Sequence, residues 1–245
     1  MTRAFAFLGS GEFEPWSDEV DGWVLERSDG DGRVLILPTA SAAEGDDVFQ
    51  GWATKGLGHF ERLGVTAEVV PIKTREDADR PEHVASVENA AAVYFSGGNP
   101  YHLSTVLQGS GFCRAMLERL EDGLGFLGCS AGVACLTETT YDTAVENLTS
   151  HDVWKPGLSY VRRALFAPHW DMVESWFPGA QTFIAGSLAP GQTLVAIDEE
   201  TAMVGDGRYW QVLGRSGVHL LLDGTWTHHE SGDGFDLALE LTRDA

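Results

Sequence analysis

No apolar run in these 245 residues approaches the ~20 needed to cross a bilayer, so a membrane-spanning helix is excluded as an organising element. The N-terminus, residues 1–5, has no cationic region followed by a long apolar stretch and a small-residue cleavage site, so no secretory signal is expected. Cysteine is scarce. Cys113, Cys129 and Cys135 make an odd count without metal-ligand spacing, which argues against a disulfide scaffold or a structural zinc site and for a reducing cytoplasm. Lysine is scarcer for its abundance elsewhere: Lys55, Lys73 and Lys155 are the only three. Sixteen basic residues against thirty-seven acidic ones leave a net charge of −21, which repels nucleic acid and anionic membranes. The acids are spread along the chain, so the charge reads as solubility or adaptation to salt rather than as an interaction tail. There is also no linker, internal repeat or low-complexity stretch. We therefore expect one α/β domain over residues 1–226, with a polar C-terminal tail, 227–245, that is part of it or loosely ordered.

What is present is an alternation of buried-type apolar runs and amphipathic segments. Residues 4–8, 33–37, 67–72, 91–95 and 124–127 read as strands. Residues 16–27, 47–63, 82–89 and 112–121 read as helices between them. That order implies right-handed crossovers and a mostly parallel sheet covered by helices on both faces, a three-layer α/β/α sandwich. Residues 193–197, 201–204, 209–213 and 218–222 are short runs joined by Gly/Asp turns, and are expected to extend the sheet with antiparallel strands. The loops after the early strands should converge at the sheet's carboxyl edge, where ligands bind in such folds.

One of those loops carries chemistry. Gly128-Cys129-Ser130-Ala131-Gly132 is a G-x-S-x-G sequence between a short apolar run and a helix-compatible one. In a nucleophile elbow of this kind the serine sits on a strained turn with its hydroxyl exposed above the sheet. Glycines flank it because side chains would clash in so tight a turn. A serine needs a base, and the base an orienting carboxylate. His169, in Ala167-Pro168-His169 after an apolar run, stands where such a base belongs, although it reads equally as a histidine packed between aromatics. With the acid placed between nucleophile and base, in the order of α/β-hydrolases, Asp142 and Glu146 are the options. Ser96-Gly97-Gly98-Asn99 suits an oxyanion-binding loop, with the Ala131 N–H as a second donor. Cys129 stands one residue before the elbow's centre and should point away. His228-His229-Glu230 has no second ligand set, so neither a metal nor a cofactor is expected.

Together, Pro38-Thr39-Ala40-Ser41, Ser96-Gly97-Gly98-Asn99, Gly128-Cys129-Ser130-Ala131-Gly132, Thr139-Thr140-Tyr141-Asp142, Ala167-Pro168-His169 and Ile197-Asp198-Glu199-Glu200-Thr201-Ala202 resemble the serine peptidases that include aspartyl dipeptidase and cyanophycinase. The resemblance implies a fold related to class I glutamine amidotransferases and hydrolysis of small peptides. It implies Ser130 as nucleophile, His169 as base, Asp142 as acid, Gly98 and Ala131 as oxyanion donors, and Asn99 near the substrate. A cysteine-dependent amidotransferase-like enzyme and a non-catalytic binding protein on the same fold are the alternatives; a homodimer is left open. The members carry an arginine-containing segment after the histidine, whereas residues 170–176 here contain none. An acidic substrate side chain needs such a cation. Neutral residues at the cleaved position are therefore expected, with Trp154, Trp170 and Trp176 near the site, and with Arg162 and Arg163 as the remaining anion-binding candidates.

Overall fold

The computed structural model describes residues 3–242. Strands β1 (Phe5–Leu8), β2 (Val34–Leu37), β3 (Ala67–Val69), β4 (Ala92–Phe95) and β5 (Gly125–Cys129) form the parallel part of an eight-stranded sheet. Helices α1 (Asp18–Leu25), α2 (Asp46–Arg62), α3 (Arg75–Ala78), α4 (Pro81–Ser86), α5 (Pro100–Leu107) and α6 (Gly111–Glu121) connect them, and the short α7 (Ala131–Ala134) follows β5. The next segment holds β6 (Thr139–Tyr141), β7 (Trp154–Pro156), β8 (Val161–Arg162), β9 (Ala164–Ala167), α8 (Trp170–Trp176) and α9 (Ala180–Gly186). The last segment is all strand: β10 (Thr193–Ile197), β11 (Thr201–Gly205), β12 (Tyr209–Gly214), β13 (Gly217–Leu222), β14 (Thr225–Glu230), β15 (Gly234–Asp236) and β16 (Glu240–Leu241).

The main sheet runs β15-β12-β11-β1-β5-β4-β2-β3, with antiparallel strands confined to its β11 side. Its central strands are buried on both faces, which is why they read as unbroken apolar runs rather than alternating ones. The alternation lies in which layer each residue meets. Phe7, Leu35, Phe95 and Phe126 pack with Leu103, Phe112 and Met116 of α5 and α6. Leu8, Ile36, Tyr94 and Leu127 face Val20, Val24 and Phe60 of α1 and α2. Successive residues of a strand point to opposite faces, so each strand serves both helical layers.

Only part of the C-terminal expectation holds. β11 and β12 do extend the main sheet, but β10 and β13 join β9 and β14 in a second sheet, ordered β14-β13-β10-β9. One face of it, with Phe166, Val195, Ile197 and Val218, packs on the main core. The other, with Leu165, Ala167, Leu194 and Ala196, lies under Trp170 and Ile184 of α8 and α9. Nor are the described residues from 227 onward a loose tail: β14 pairs with β13, β15 with β12 and β16 with β8. Their polarity reflects strands at sheet edges, with one face in water. Among the described residues no helix is long and apolar enough to cross a membrane.

Candidate active site

Five strand ends meet at one edge of the two sheets. β1 leads into Ser10 and Glu12, β4 into Ser96–Asn99, β5 into Ser130, β9 into His169 and β10 into Glu199. Ser130 takes φ +51° and ψ −108°, a conformation non-glycine residues rarely adopt. It is held there because its own N–H is bonded to Leu8 O, while its carbonyl accepts from the Val133 and Ala134 N–H groups of α7. The close approach requires glycine at Gly132: a Cβ there would collide with the Phe95 carbonyl oxygen. His169 is likewise left-handed, at φ +57°, and directly precedes α8.

The two come together. Ser130 Oγ lies 2.8 Å from His169 Nε2, and His169 Nδ1 lies 2.6 Å from Glu199 Oε1. The other carboxylate oxygen of Glu199 accepts the Ser10 hydroxyl at 2.5 Å, and the Glu199 N–H donates to Asp171 Oδ1 at 2.8 Å. Ser10 Oγ in turn accepts the Glu200 N–H. Glu199 is therefore fixed at both its backbone and its side chain.

The structure brings Glu199, and not the expected Asp142, to His169. Asp142 does not bond His169: its Oδ1 accepts the Asn99 Nδ2 amide at 2.7 Å and the Ala144 N–H at 3.0 Å. Glu146, the other option, is exposed on the loop that follows β6. The reason lies in strand pairing. β9 and β10 are parallel neighbours with Ala167 opposite Ala196, so the residues just beyond both strands, His169 and Glu199, emerge side by side. The available signal was the carboxylate-rich Asp198-Glu199-Glu200 turn after an apolar run, a place equivalent to that of His169.

The Gly97–Asn99 loop sits across from the elbow. Gly98 needs its freedom, since at φ +140° a Cβ would come 2.5 Å from the Ala40 carbonyl carbon. Asn99 caps α5, its Oδ1 accepting from Tyr101 and His102 N–H. Its amide is thus turned between the helix end and Asp142. The Gly97 N–H is taken by the buried Glu12 carboxylate at 2.8 Å. Among the described residues the Gly98 and Ala131 N–H groups have no protein partner, which leaves them as donors. Cys129 is fully buried on the far side of the turn, and its Sγ donates to Glu12 Oε2 at 2.9 Å. Burial, and then the Glu12 carboxylate, push its thiol well above the ordinary cysteine range.

Beside Ser130, Gly98 and His169 opens a cavity of about 460 Å³. Trp154 and Trp176 line it, whereas Trp170 packs instead against Trp226, with ring centroids 5.6 Å apart. Trp176 lies 5.4 Å from the His169 ring, centroid to centroid. Arg162 and Arg163 open onto other clefts. His228 and His229 are adjacent on β14 and so point to opposite faces: His228 bonds His219 and His229 stacks on Phe235.

The fold has counterparts. The chain is 29% identical to a peptidase from an acI-B1 Actinobacterium of solved structure, with a TM-score of 0.87, over 97% of this chain and 98% of that one. A putative peptidase E protein from Listeria monocytogenes shares the fold at 18% identity and a TM-score of 0.63, over 88% of this chain and all of that one. A cyanophycinase from Nostoc sp. is 25% identical over 208 residues, 80% of this chain, and the chain spans 65% of that relative's length. Residues 5–213, which hold every side chain of the site described above, match the model of peptidase family S51, and the chain belongs to that family of serine peptidases.

Proposed function

We propose that this chain is a serine-type peptidase that cleaves short peptides through an acyl-enzyme on Ser130, with His169 as base and Glu199 as its orienting carboxylate. The observation that carries this reading is one continuous chain of contacts, Ser130 Oγ to His169 Nε2 at 2.8 Å and His169 Nδ1 to Glu199 Oε1 at 2.6 Å. Glu199 accepts a hydrogen bond from His169 Nδ1–H, which leaves the Nε2 lone pair free to take the serine proton as Oγ attacks the carbonyl carbon. The carbonyl oxygen becomes an oxyanion and is met by the N–H groups of Gly98 and Ala131. Collapse of the tetrahedral intermediate breaks the C–N bond, and His169 returns the proton to the departing amine. Water then attacks the acyl-serine by the same route and releases the acid and Ser130. Asn99, held by Asp142 and the start of α5, closes the donor loop and supports the position of Gly98. Ser130 is half-buried beside a cavity, which favours short extended substrates over folded proteins. We place the enzyme in the cytoplasm on its three unpaired, buried cysteines.

The test is covalent labelling. A fluorophosphonate should add once per chain, at Ser130 by peptide mapping, and Ser130→Ala should abolish both labelling and turnover. Labelling at another residue, or turnover surviving in Ser130→Ala, would eliminate the serine mechanism.

A further inference from the structure

We infer that the cavity beside Ser130 is a specificity pocket for a large apolar side chain on the residue whose carbonyl is attacked, an inference that rests on the serine peptidase reading. Its walls are mostly apolar, and three regions supply much of them. Val153 and Trp154 enter from the start of β7, Val173 and Trp176 from α8, and Phe183 and Ile184 from α9. Trp154 and Phe183 stack with ring centroids 5.8 Å apart and planes 11° from parallel, and the Trp154 indole N–H is tied to Ser187 Oγ. This wall is therefore held in place before substrate arrives. The volume, about 460 Å³, falls within the roughly 300–1,000 Å³ of ordinary ligand pockets.

No lysine, arginine, aspartate or glutamate lines the cavity among the described residues. The cations near it in sequence are directed elsewhere. Lys155 lies over the Tyr101 ring, 5.9 Å from its centroid. The Arg163 backbone is pinned to Glu138, and its side chain lines a separate cleft. Arg162 opens onto a third. A carboxylate drawn into this cavity would lose its water with no cation to replace it. The net charge of −21 adds long-range repulsion of the same sign.

The cavity serves the acyl side of the scissile bond because of what borders it. Ser130 bonds the acyl carbon, and Gly98 binds the oxygen on that carbon. The side chain one bond further along thus starts at the cavity wall shared by these two residues. Burying a large apolar side chain there lowers the barrier by the transfer free energy of that side chain, provided the pocket is preformed.

The experiment uses the purified full-length protein and a set of peptidyl anilides with one leaving group and Phe, Leu, Ala or Asp at the attacked residue. Phe and Leu should exceed Ala by roughly 10- to 100-fold in kcat/KM, and Asp should fall about 100-fold or more below Phe and Leu. Phe183→Ala should lower the Phe-to-Ala ratio, because it removes the ring that Trp154 stacks on. Ser130 acylation is followed by intact mass in parallel. A preference for Asp, a flat series, or an unchanged ratio in Phe183→Ala overturns the pocket assignment if Ser130 is acylated. If no substrate acylates Ser130 and no fluorophosphonate phosphonylates it, the peptidase reading itself fails.

Discussion

Replacing Glu199 by glutamine tests the site most sharply, because sequence order and geometry point to different acids. The carboxylate makes a 2.6 Å contact with His169 Nδ1 and accepts the Ser10 hydroxyl at 2.5 Å. A charge-assisted hydrogen bond contributes about 1.5–3 kcal/mol net. The imidazolium formed during attack gains further from a full negative charge beside it. Both side chains are partly exposed, His169 at 26% and Glu199 at 32%, so solvent screens part of that gain. The amide can also keep its oxygen toward His169 and turn its NH2 toward Ser10 Oγ, preserving the productive tautomer in part of the molecules. The loss should therefore fall short of the ~10⁴-fold seen when a buried triad aspartate is neutralised. We expect kcat to drop on the order of 10²- to 10³-fold, about 2.7–4 kcal/mol, with KM nearly unchanged. Steady-state kinetics on an apolar peptidyl anilide measures it, with the unfolding midpoint as a control for folding. If Glu199→Gln stays within threefold of wild type while Asp142→Asn loses two orders of magnitude, the assignment made from the hydrogen-bond chain is wrong and Asp142 is the acid.

Other outcomes follow from the same geometry. Asp142→Asn should cost kcat far less than Glu199→Gln, roughly threefold to tenfold, because it disturbs Asn99 rather than the base; the two variants are assayed side by side. Cys129→Ala should retain most turnover, and iodoacetamide at pH 8 should leave Cys129 unlabelled by mass spectrometry, since burial keeps the thiol protonated. Gly132→Ala should unfold at markedly lower denaturant or yield no folded protein, because its Cβ meets the Phe95 carbonyl and backbone cannot step aside cheaply. Asp198 gives a pH signature: burial opposes its ionisation, but hydrogen bonds from His219, Ser216 and the Gly217 N–H outweigh it and hold the carboxyl below its ordinary value. Its contribution is present above the unfolded value of about 3.9 and is lost as pH falls through the folded one, so the stability gap between wild type and Asp198→Asn in urea titrations should be widest near neutrality and shrink below about pH 4.

Where sequence reading succeeded, local rules decided the outcome. The parallel strands β1, β2, β4 and β5 were legible because burial on both faces makes their residues uniformly apolar. The strained turn at Ser130 was legible because such a turn needs glycine at set offsets. The carboxylate beside His169 was not, because nothing within one strand says which other strand lies beside it. Glu199 reaches His169 through the β9–β10 register, across thirty residues, while an assumed Ser–acid–His order confined the choice to Asp142 and Glu146. The split of the C-terminal strands into two sheets was hidden for the same reason: β10 through β13 carry similar patterns, and their allocation depends on partners. The terminal strands β14 to β16 looked like tail because edge strands keep a solvated face and bury few side chains.

The two-sheet architecture has a consequence for how the site holds its shape. Ser130 and the Gly98 loop follow strands of the main sheet, whereas His169 follows a strand of the second, and Glu199 lies on the turn that joins β10 of the second sheet to β11 of the main one. The 2.8 Å contact between Ser130 and His169 therefore bridges two separately hydrogen-bonded sheets, and no strand ladder sets it. Two things do. One is side-chain packing between the sheets: Phe7 of β1 meets Phe166 of β9 edge-on, with centroids 5.1 Å apart, beside Phe126 and Trp210. The other is the bond from Ser10, just beyond β1, to Glu199, just beyond β10, which ties the two sheets at the site itself. Close-packed aromatic cores deform little, so the first fixes the spacing of the sheets. The second fixes the carboxylate relative to the nucleophile's own sheet. Ser10 thus holds the Glu199 carboxylate against the main sheet, and the precise geometry that the proposed acyl transfer needs is supplied by the core of the molecule as much as by the proposed reacting residues.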